Sequence, residues 1–217
     1  MDGTITDPRD AMLTCMRFAL AEVRCECPPD DEIVRYIGPP LREALRAIVG
    51  DGNDAKLSLA LERFRDRYAS GGILENTVYP GIPEALESLR EAGARLFLAT
   101  SKPTVYATRI LQHCGLGDLF TGVHGSDLDG TRANKAELIG HVLHAESLDP
   151  VQCLMIGDRS QDIVGARANG VASIGALWGY GSREELSAAG ATALCEHPSM
   201  LFDAVFNGLG PRLRGGD

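Results

Sequence analysis

Acidic, hydroxyl and cationic side chains fall at particular places in this chain. Asp2-Gly3-Thr4 opens it, within "MDGTITDP". Thr100-Ser101-Lys102-Pro103 follows the apolar run "RLFLA", and Lys135 stands near the head of "NKAELIGHVLHAE". Gly157-Asp158-Arg159-Ser160-Gln161-Asp162 comes directly after "CLMI". Together these residue types suit chemistry at a phosphate ester. A phosphate dianion repels an attacking carboxylate, so a metal and a lysine must offset its charge. Asp158 and Asp162 offer the hard oxygen ligands that Mg²⁺ prefers. The hydroxyls of Thr100 and Ser101, with nearby backbone N–H groups, can hold phosphate oxygens, and Lys135 adds a point charge. Asp2 could protonate a leaving alcohol and then deprotonate an attacking water.

Such residues must be brought together by the elements around them. From about residue 81 the pattern alternates helix and strand. "GIPEALESLREAG" carries Pro83 inside a helix start and Gly93 as its stop. "RLFLAT" and "CLMIGD" are short continuous apolar runs, expected as strands buried on both faces. "LFTGVHG" and "VASIGAL" read as further strands, and "PTVYATRILQHCG", "NKAELIGHVLHAE", "SQDIVGARANG", "SREELSAAG" and "PSMLFDAVFNGL" as helices. This alternation predicts an α/β fold: a Rossmann-like parallel sheet with helices on both faces. Residues 9–77 differ. "DAMLTCMRFALAEV", "DDEIVRYIG", "PPLREALRAIV" and "DAKLSLALERFRDRYAS" are helical patterns without a convincing strand, and predict an inserted helical cap. The expected division is a core of residues 1–8 and 78–217 with a cap of residues 9–77. In such a sheet, ligands bind beyond the carboxyl ends of the strands, where the hydroxyls, acids and Lys135 should converge.

Composition narrows the function classes. The 217 residues fit one domain, or one domain with an insertion, and 44% apolar with 24% charged residues is ordinary for a globular protein. A net charge of −9 argues against a nucleic-acid or anionic-membrane partner. No apolar run is long enough to span a bilayer, and the start lacks the pattern of a signal peptide. The six cysteines are scattered, as for buried thiols in a reducing compartment, so a cytoplasmic location is expected. Cys25 and Cys27 read as a loop pair rather than metal ligands, and His141 and His144 as a solvated helix face.

The ordered stretches "DGTITDP", "YPGIPEALESLREAG", "LATSKP", "GSDLDGTRANKAELI" and "MIGDRSQDIVGARANG" resemble the haloacid dehalogenase superfamily, in its phosphoglycolate phosphatase-like branch with a helical cap. The likeness extends over essentially the whole chain. It implies a Mg²⁺-dependent phosphatase acting on a small phosphorylated metabolite through an aspartyl-phosphate, as monomer or homodimer. It assigns Asp2 as acid/base and its backbone carbonyl as a Mg²⁺ ligand. Thr100 becomes the phosphate-binding hydroxyl, Lys135 the lysine, Asp158 a metal ligand and Asp162 the acid supporting the metal site. Substrate choice in that branch lies in the cap, so "YIGPPLREAL", with Arg35 and Arg42 as contacts to a second anionic group, is the expected substrate-facing segment.

The family motif is Asp-x-Asp-Gly-Thr, and its first Asp, the nucleophile, has no match: it would precede Met1. "DLDGT" at residues 127–131 spells the motif but follows "HGS" instead of a buried strand, and Lys135 comes too soon for a cap to intervene. It is read as a polar loop. The first core strand is thus missing. Removing a central strand deletes roughly ten hydrogen bonds of about 1 kcal/mol each, comparable with the ~5–15 kcal/mol that holds a domain together. The expectation is therefore a longer native chain whose upstream strand ends in the nucleophile. A non-catalytic phosphate- or partner-binding relative and a phosphomutase are the alternatives.

Overall fold

The computed structural model describes residues 1–38 and 41–206. The expected frayed tail "GPRLRGGD" and the Pro39-Pro40 pair lie outside them. The chain forms two compact units: one of Met1, Gly3–Ile5 and residues from Val78 onward, the other of Asp2 and Thr6–Thr77. The short strands β1 (Thr6–Asp7) and β2 (Thr77–Val78) pair as a two-stranded sheet.

The helical unit holds α1 (Arg9–Glu22), α2 (Asp30–Val34), α3 (Leu41–Val49) and α4 (Asp54–Ser70). On α4, Leu57, Ala60, Leu61, Phe64 and Tyr68 are buried, the stripe that the 3.6-residue period places on one face. This stripe faces α1, whose Ala11, Cys15, Met16, Ala19 and Leu20 are fully buried. Asn53 caps α4, its side chain accepting from the Lys56 N–H at 3.3 Å.

The α/β unit runs α5 (Ile82–Glu91), β3 (Phe97–Pro103), α6 (Thr104–His113), β4 (Gly122–Ser126), α7 (Lys135–Ala145), β5 (Leu154–Gly157) and α8 (Ser160–Ala168). It continues with β6 (Ala172–Ala176), α9 (Arg183–Ala189), β7 (Ala193–Cys195) and α10 (Leu201–Phe206). All its strand pairings are parallel: β3 with β4, and β5 with β6 with β7. Alternate residues of β6 face opposite layers. Ile174 packs with Ala85, Leu89, Leu201 and Val205 of α5 and α10. Gly175 lies under Leu186 of α9, where a Cβ would come within 3.2 Å of the Leu186 Cβ. Helices therefore cover both faces, as the alternating pattern requires.

One expectation needs correction. "RLFLAT" and "CLMIGD" were expected to be buried throughout, yet Phe97, Ala99, Leu154, Met155 and Ile156 are only half-buried, while β6 is buried from Ser173 to Ala176. The reason lies in the pairing. β6 has a strand on each side, whereas β3 pairs only with β4 and β5 only with β6 among the described residues. Burial of a strand needs lateral neighbours as well as covering helices.

Helices α7 and α8 approach closely because Gly165 has no side chain. A Cβ there would lie 3.0 Å from Lys135 Cγ and 3.1 Å from the Ala136 nitrogen. Asn169 fastens the crossing, its amide donating to the carbonyls of Ala136 (2.9 Å) and Gly165 (2.8 Å). Replacing Gly165 by Ala overpacks this crossing at a cost of about 1–3 kcal/mol, offset by about 1 kcal/mol of helix propensity. The expected result is a Tm lower by a few degrees in thermal melting followed by circular dichroism. An unchanged or raised Tm would show that the helices can part.

Candidate active site

Asp158 follows β5 directly and is 2% exposed. Its carboxylate is held from two directions. The Thr4 hydroxyl donates to Oδ1 at 2.8 Å, and the Tyr180 backbone N–H donates to Oδ2 at 3.0 Å. Trp178 extends this set, its indole N–H donating to the Thr4 carbonyl at 2.9 Å. Small residues make the crowding possible. Gly3 has a φ of +76°, and a Cβ there would lie 2.0 Å from Asp158 Oδ2. A Cβ on Gly179 would strike the Gly3 carbonyl, and one on Gly181 would strike the Asp158 carbonyl. The turn at Gly3-Thr4, closed by the Thr4 and Ile5 N–H groups donating to the Met1 carbonyl, is thus seated directly against Asp158.

Asp162 lies in the first turn of α8 and fills the space that a side chain on Gly157 would need. Its Oδ2 accepts from the Arg159 N–H at 3.2 Å, and its Oδ1 pairs with Lys135 Nζ at 2.9 Å. Lys135 Nζ also donates to the Ala99 carbonyl at 3.1 Å, beside Thr100. A single ammonium therefore links the middle of β3, the start of α7 and the start of α8. Burial pushes the Asp158 carboxyl above its ordinary value, and the charge of Asp162 adds to this against the hydrogen bonds from Tyr180 and Thr4. Burial would also raise Asp162, but the charge and hydrogen bond of Lys135 outweigh it and hold the group below its ordinary value.

Thr100 is buried, and its hydroxyl oxygen accepts from the Lys102 N–H at 3.2 Å. Neither Thr100 nor Ser101 caps α6, whose N-cap is Pro103. The Ser101 hydroxyl donates to the Ala133 carbonyl at 3.0 Å, which engages its proton in holding the loop before α7. Asp2 is half-buried, bridges to Thr6 and groups with the helical unit. Arg35 and Arg42 are exposed on that same unit, and the Pro39-Pro40 part of the expected substrate-facing segment is outside the described residues. The "DLDGT" loop is exposed and closed on itself: Arg132 pairs with Asp127 at 2.7 Å, and the Thr131 N–H donates to Asp129 at 2.8 Å.

Thr4 stood in the sequence only within Asp2-Gly3-Thr4, and Trp178 and Tyr180 in "LWGYGS" read equally as residues lining a site or packing under a loop; the Thr4 hydroxyl, the Trp178 indole and the Tyr180 backbone all join the Asp158 set. The glycines flanking Trp178 and Tyr180 in "LWGYGS" were the available signal, since they mark close backbone approach. Among the described residues no group of three or more His, Cys, Asp or Glu side chains is gathered for a metal. The pair Asp158 and Asp162 nonetheless fits Mg²⁺, which takes one or two carboxylates and fills its remaining positions with water and phosphate oxygens. Two neighbouring buried carboxylates, with one of them raised in pKa, are what a divalent cation would relieve.

A consequence can be checked without turnover. Because the folded-state pKa of Asp158 is raised, the group favours folding below its unfolded pKa, and this stability is lost as pH rises through the folded pKa. Asp158→Asn removes that loss, and the Thr4 hydroxyl can turn to accept from the new amide. In EDTA the variant should melt a few degrees above the parent at neutral pH, with the difference shrinking below the ordinary Asp range. A variant that melts lower at every pH would contradict the buried-charge account.

Known proteins resemble this chain along most of its length. The profile described as haloacid dehalogenase-like hydrolase matches residues 1–176. A 5'-nucleotidase of Pseudomonas aeruginosa is 43% identical over 195 residues, covering 90% of this chain and 88% of that protein. A phosphoglycolate phosphatase of Vibrio vulnificus is 31% identical, covering 78% of this chain and 69% of its own. Among solved structures, a predicted phosphatase from Clostridium acetobutylicum superposes with a TM-score of 0.88 at 32% identity, over 94% of each chain. Protein tyrosine kinase A of Mycobacterium tuberculosis superposes with a TM-score of 0.80 at 32% identity, over 97% of this chain and 95% of that one. Parallel strands covered by helices, with two acids just beyond β5 and a lysine that bridges to β3, together with a family profile matched from Met1 to Ala176, lead to one conclusion: the chain belongs to the haloacid dehalogenase-like hydrolase family, among its phosphatases.

Proposed function

We propose that this protein is a Mg²⁺-dependent phosphomonoester hydrolase acting on a small phosphorylated metabolite such as a nucleotide, a phosphoglycolate-like acid or a sugar phosphate. The observation that carries the reading is the buried set of Asp158, Asp162 and Lys135 beside Thr100. It combines two carboxylates able to hold a divalent cation with a cation and a hydroxyl suited to phosphate oxygens. Mg²⁺, when bound, neutralises phosphate charge so that an anionic nucleophile can approach. Lys135 supports the same charge while anchored by Ala99 and Asp162. Thr100 orients a phosphate oxygen from β3, where its regular pairing with β4 breaks. Asp2 protonates the departing alkoxide and then takes a proton from water. The names 5'-nucleotidase and phosphoglycolate phosphatase among the relatives support a small phosphomonoester and favour no single one. Arg35 and Arg42 are proposed to meet a second anionic group on the substrate.

We infer further that the nucleophile is an aspartate at the end of a strand lying between β3 and β5, from chain preceding Met1. Support comes from the pairing: among the described residues β3 and β5 each have one strand neighbour, and Phe97, Ala99, Leu154, Met155 and Ile156 are half-buried. Attack by that carboxylate on phosphorus breaks the bond to the alcohol oxygen. Water then attacks the resulting acyl phosphate, releasing phosphate and restoring the carboxylate.

Two expressed forms test this reading: residues 1–217, and a form extended upstream by the native coding sequence. The extended form should hydrolyse p-nitrophenyl phosphate, lose that activity in EDTA and regain it with Mg²⁺. The shorter form should be inactive and melt less cooperatively. Equal rates and equal melting would overturn the inferred strand and nucleophile. In the extended form, Asp158→Asn should cost about a thousandfold or more in kcat, the scale of a group essential to the chemistry. Asp127→Asn should stay within a few-fold, because its carboxylate is occupied by Arg132 in an exposed loop. The reverse ranking would move the nucleophile to the "DLDGT" loop.

A further inference from the structure

The segment that carries Asp158 and Asp162 is fastened from a third side by a residue with no assigned part in phosphate chemistry. Glu185, in the first turn of α9, accepts through Oε1 from the Ser160 N–H at 2.8 Å and from Arg159 Nε at 3.2 Å. Ser160 opens α8, so its N–H is one of the donors left without an intrahelical partner. The neighbouring Arg159 N–H is taken by Asp162. Successive N–H groups after Asp158 are therefore met by two carboxylates, one within the site and one on α9.

Glu185 is itself rigidly placed. Ser182 caps α9, its hydroxyl accepting from the Glu185 N–H at 3.1 Å. The next residue, Leu186, is fully buried against Ile163 of α8. Burial works against the Glu185 charge, but the hydrogen bonds from Ser160 and the Arg159 charge outweigh it, so the group stays ionised. The helix-start partial charge of α8 also favours an anion there.

We propose that Glu185 is a positioning residue for the cation site: by gripping the Ser160 N–H it fixes the turn from Asp158 to Asp162 and so sets the geometry in which both carboxylates meet a divalent cation. This rests on the metal reading given above. Groups that orient metal ligands through one intervening contact typically change metal affinity by about 10–100-fold when removed.

The test uses the form extended upstream by the native coding sequence and Mn²⁺ as probe, titrated by the loss of the free-ion electron paramagnetic resonance signal well below the melting temperature. Glu185→Ala should weaken Mn²⁺ binding by about tenfold or more. Glu185→Gln retains an oxygen that can accept from Ser160 and should remain within about threefold of the parent. Mn²⁺ binding by Glu185→Ala equal to the parent would overturn the proposal. So would equal weakening in the Ala and Gln variants, which would assign the effect to charge and not to the grip on Ser160. A parent chain that leaves the Mn²⁺ signal unchanged would overturn the metal reading itself, and the proposal with it.

Discussion

The Lys135 ammonium is the joint on which the rest of the site depends. It touches both β3, through the Ala99 carbonyl, and the start of α8, through Asp162. With side chains only 12% and 9% exposed, this ion pair is largely removed from water. Breaking such a pair by deleting one partner costs about 3–5 kcal/mol, because a buried charge is left uncompensated. The bare crossing point at Gly165 is what lets α7 reach α8. Stability and function therefore draw on the same contact: the cation that a phosphate would need is already spent in part on holding two elements together.

Much of this was legible in the sequence, and the reasons differ by residue. Asp158 and Asp162 stood out because a Gly-Asp directly after an apolar run marks a strand end facing a ligand, and Lys135 because it opens a strongly amphipathic helix. The helical state of α4 followed from its pattern alone. The half-burial of β3 and β5 was not legible, since an apolar run reports the faces of a strand and not whether its flanks are filled. Thr4 was visible only as part of a motif. Its bond to Asp158 spans 154 positions of chain, a distance that no local pattern encodes. Glu185 carried no signal of its own in "SREELSAAG"; its place beside Ser160 comes with the packing of Leu186 against Ile163.

The exposed "DLDGT" loop shows how far a motif depends on its setting. The same residue types that form a turn against Asp158 at the start of the chain form, at residues 127–131, a solvent-facing loop held by Arg132. An acid becomes reactive when burial and neighbouring charges alter its proton affinity. The Asp127 carboxylate is exposed and paired with Arg132, so it stands outside the buried set around Asp158 whatever its sequence neighbours are.

The indole of Trp178 has a consequence beyond packing. It is the one tryptophan in the sequence, and its N–H is bonded to Thr4, whose hydroxyl holds Asp158. Excited at wavelengths where tyrosine absorbs little, the protein's near-ultraviolet emission arises from a single ring two hydrogen bonds from a proposed metal ligand. The intensity and wavelength of that emission report the state of the site and not an average over the chain. The protein carries its own optical gauge of anything that moves Asp158, whether cation, phosphate or local unfolding.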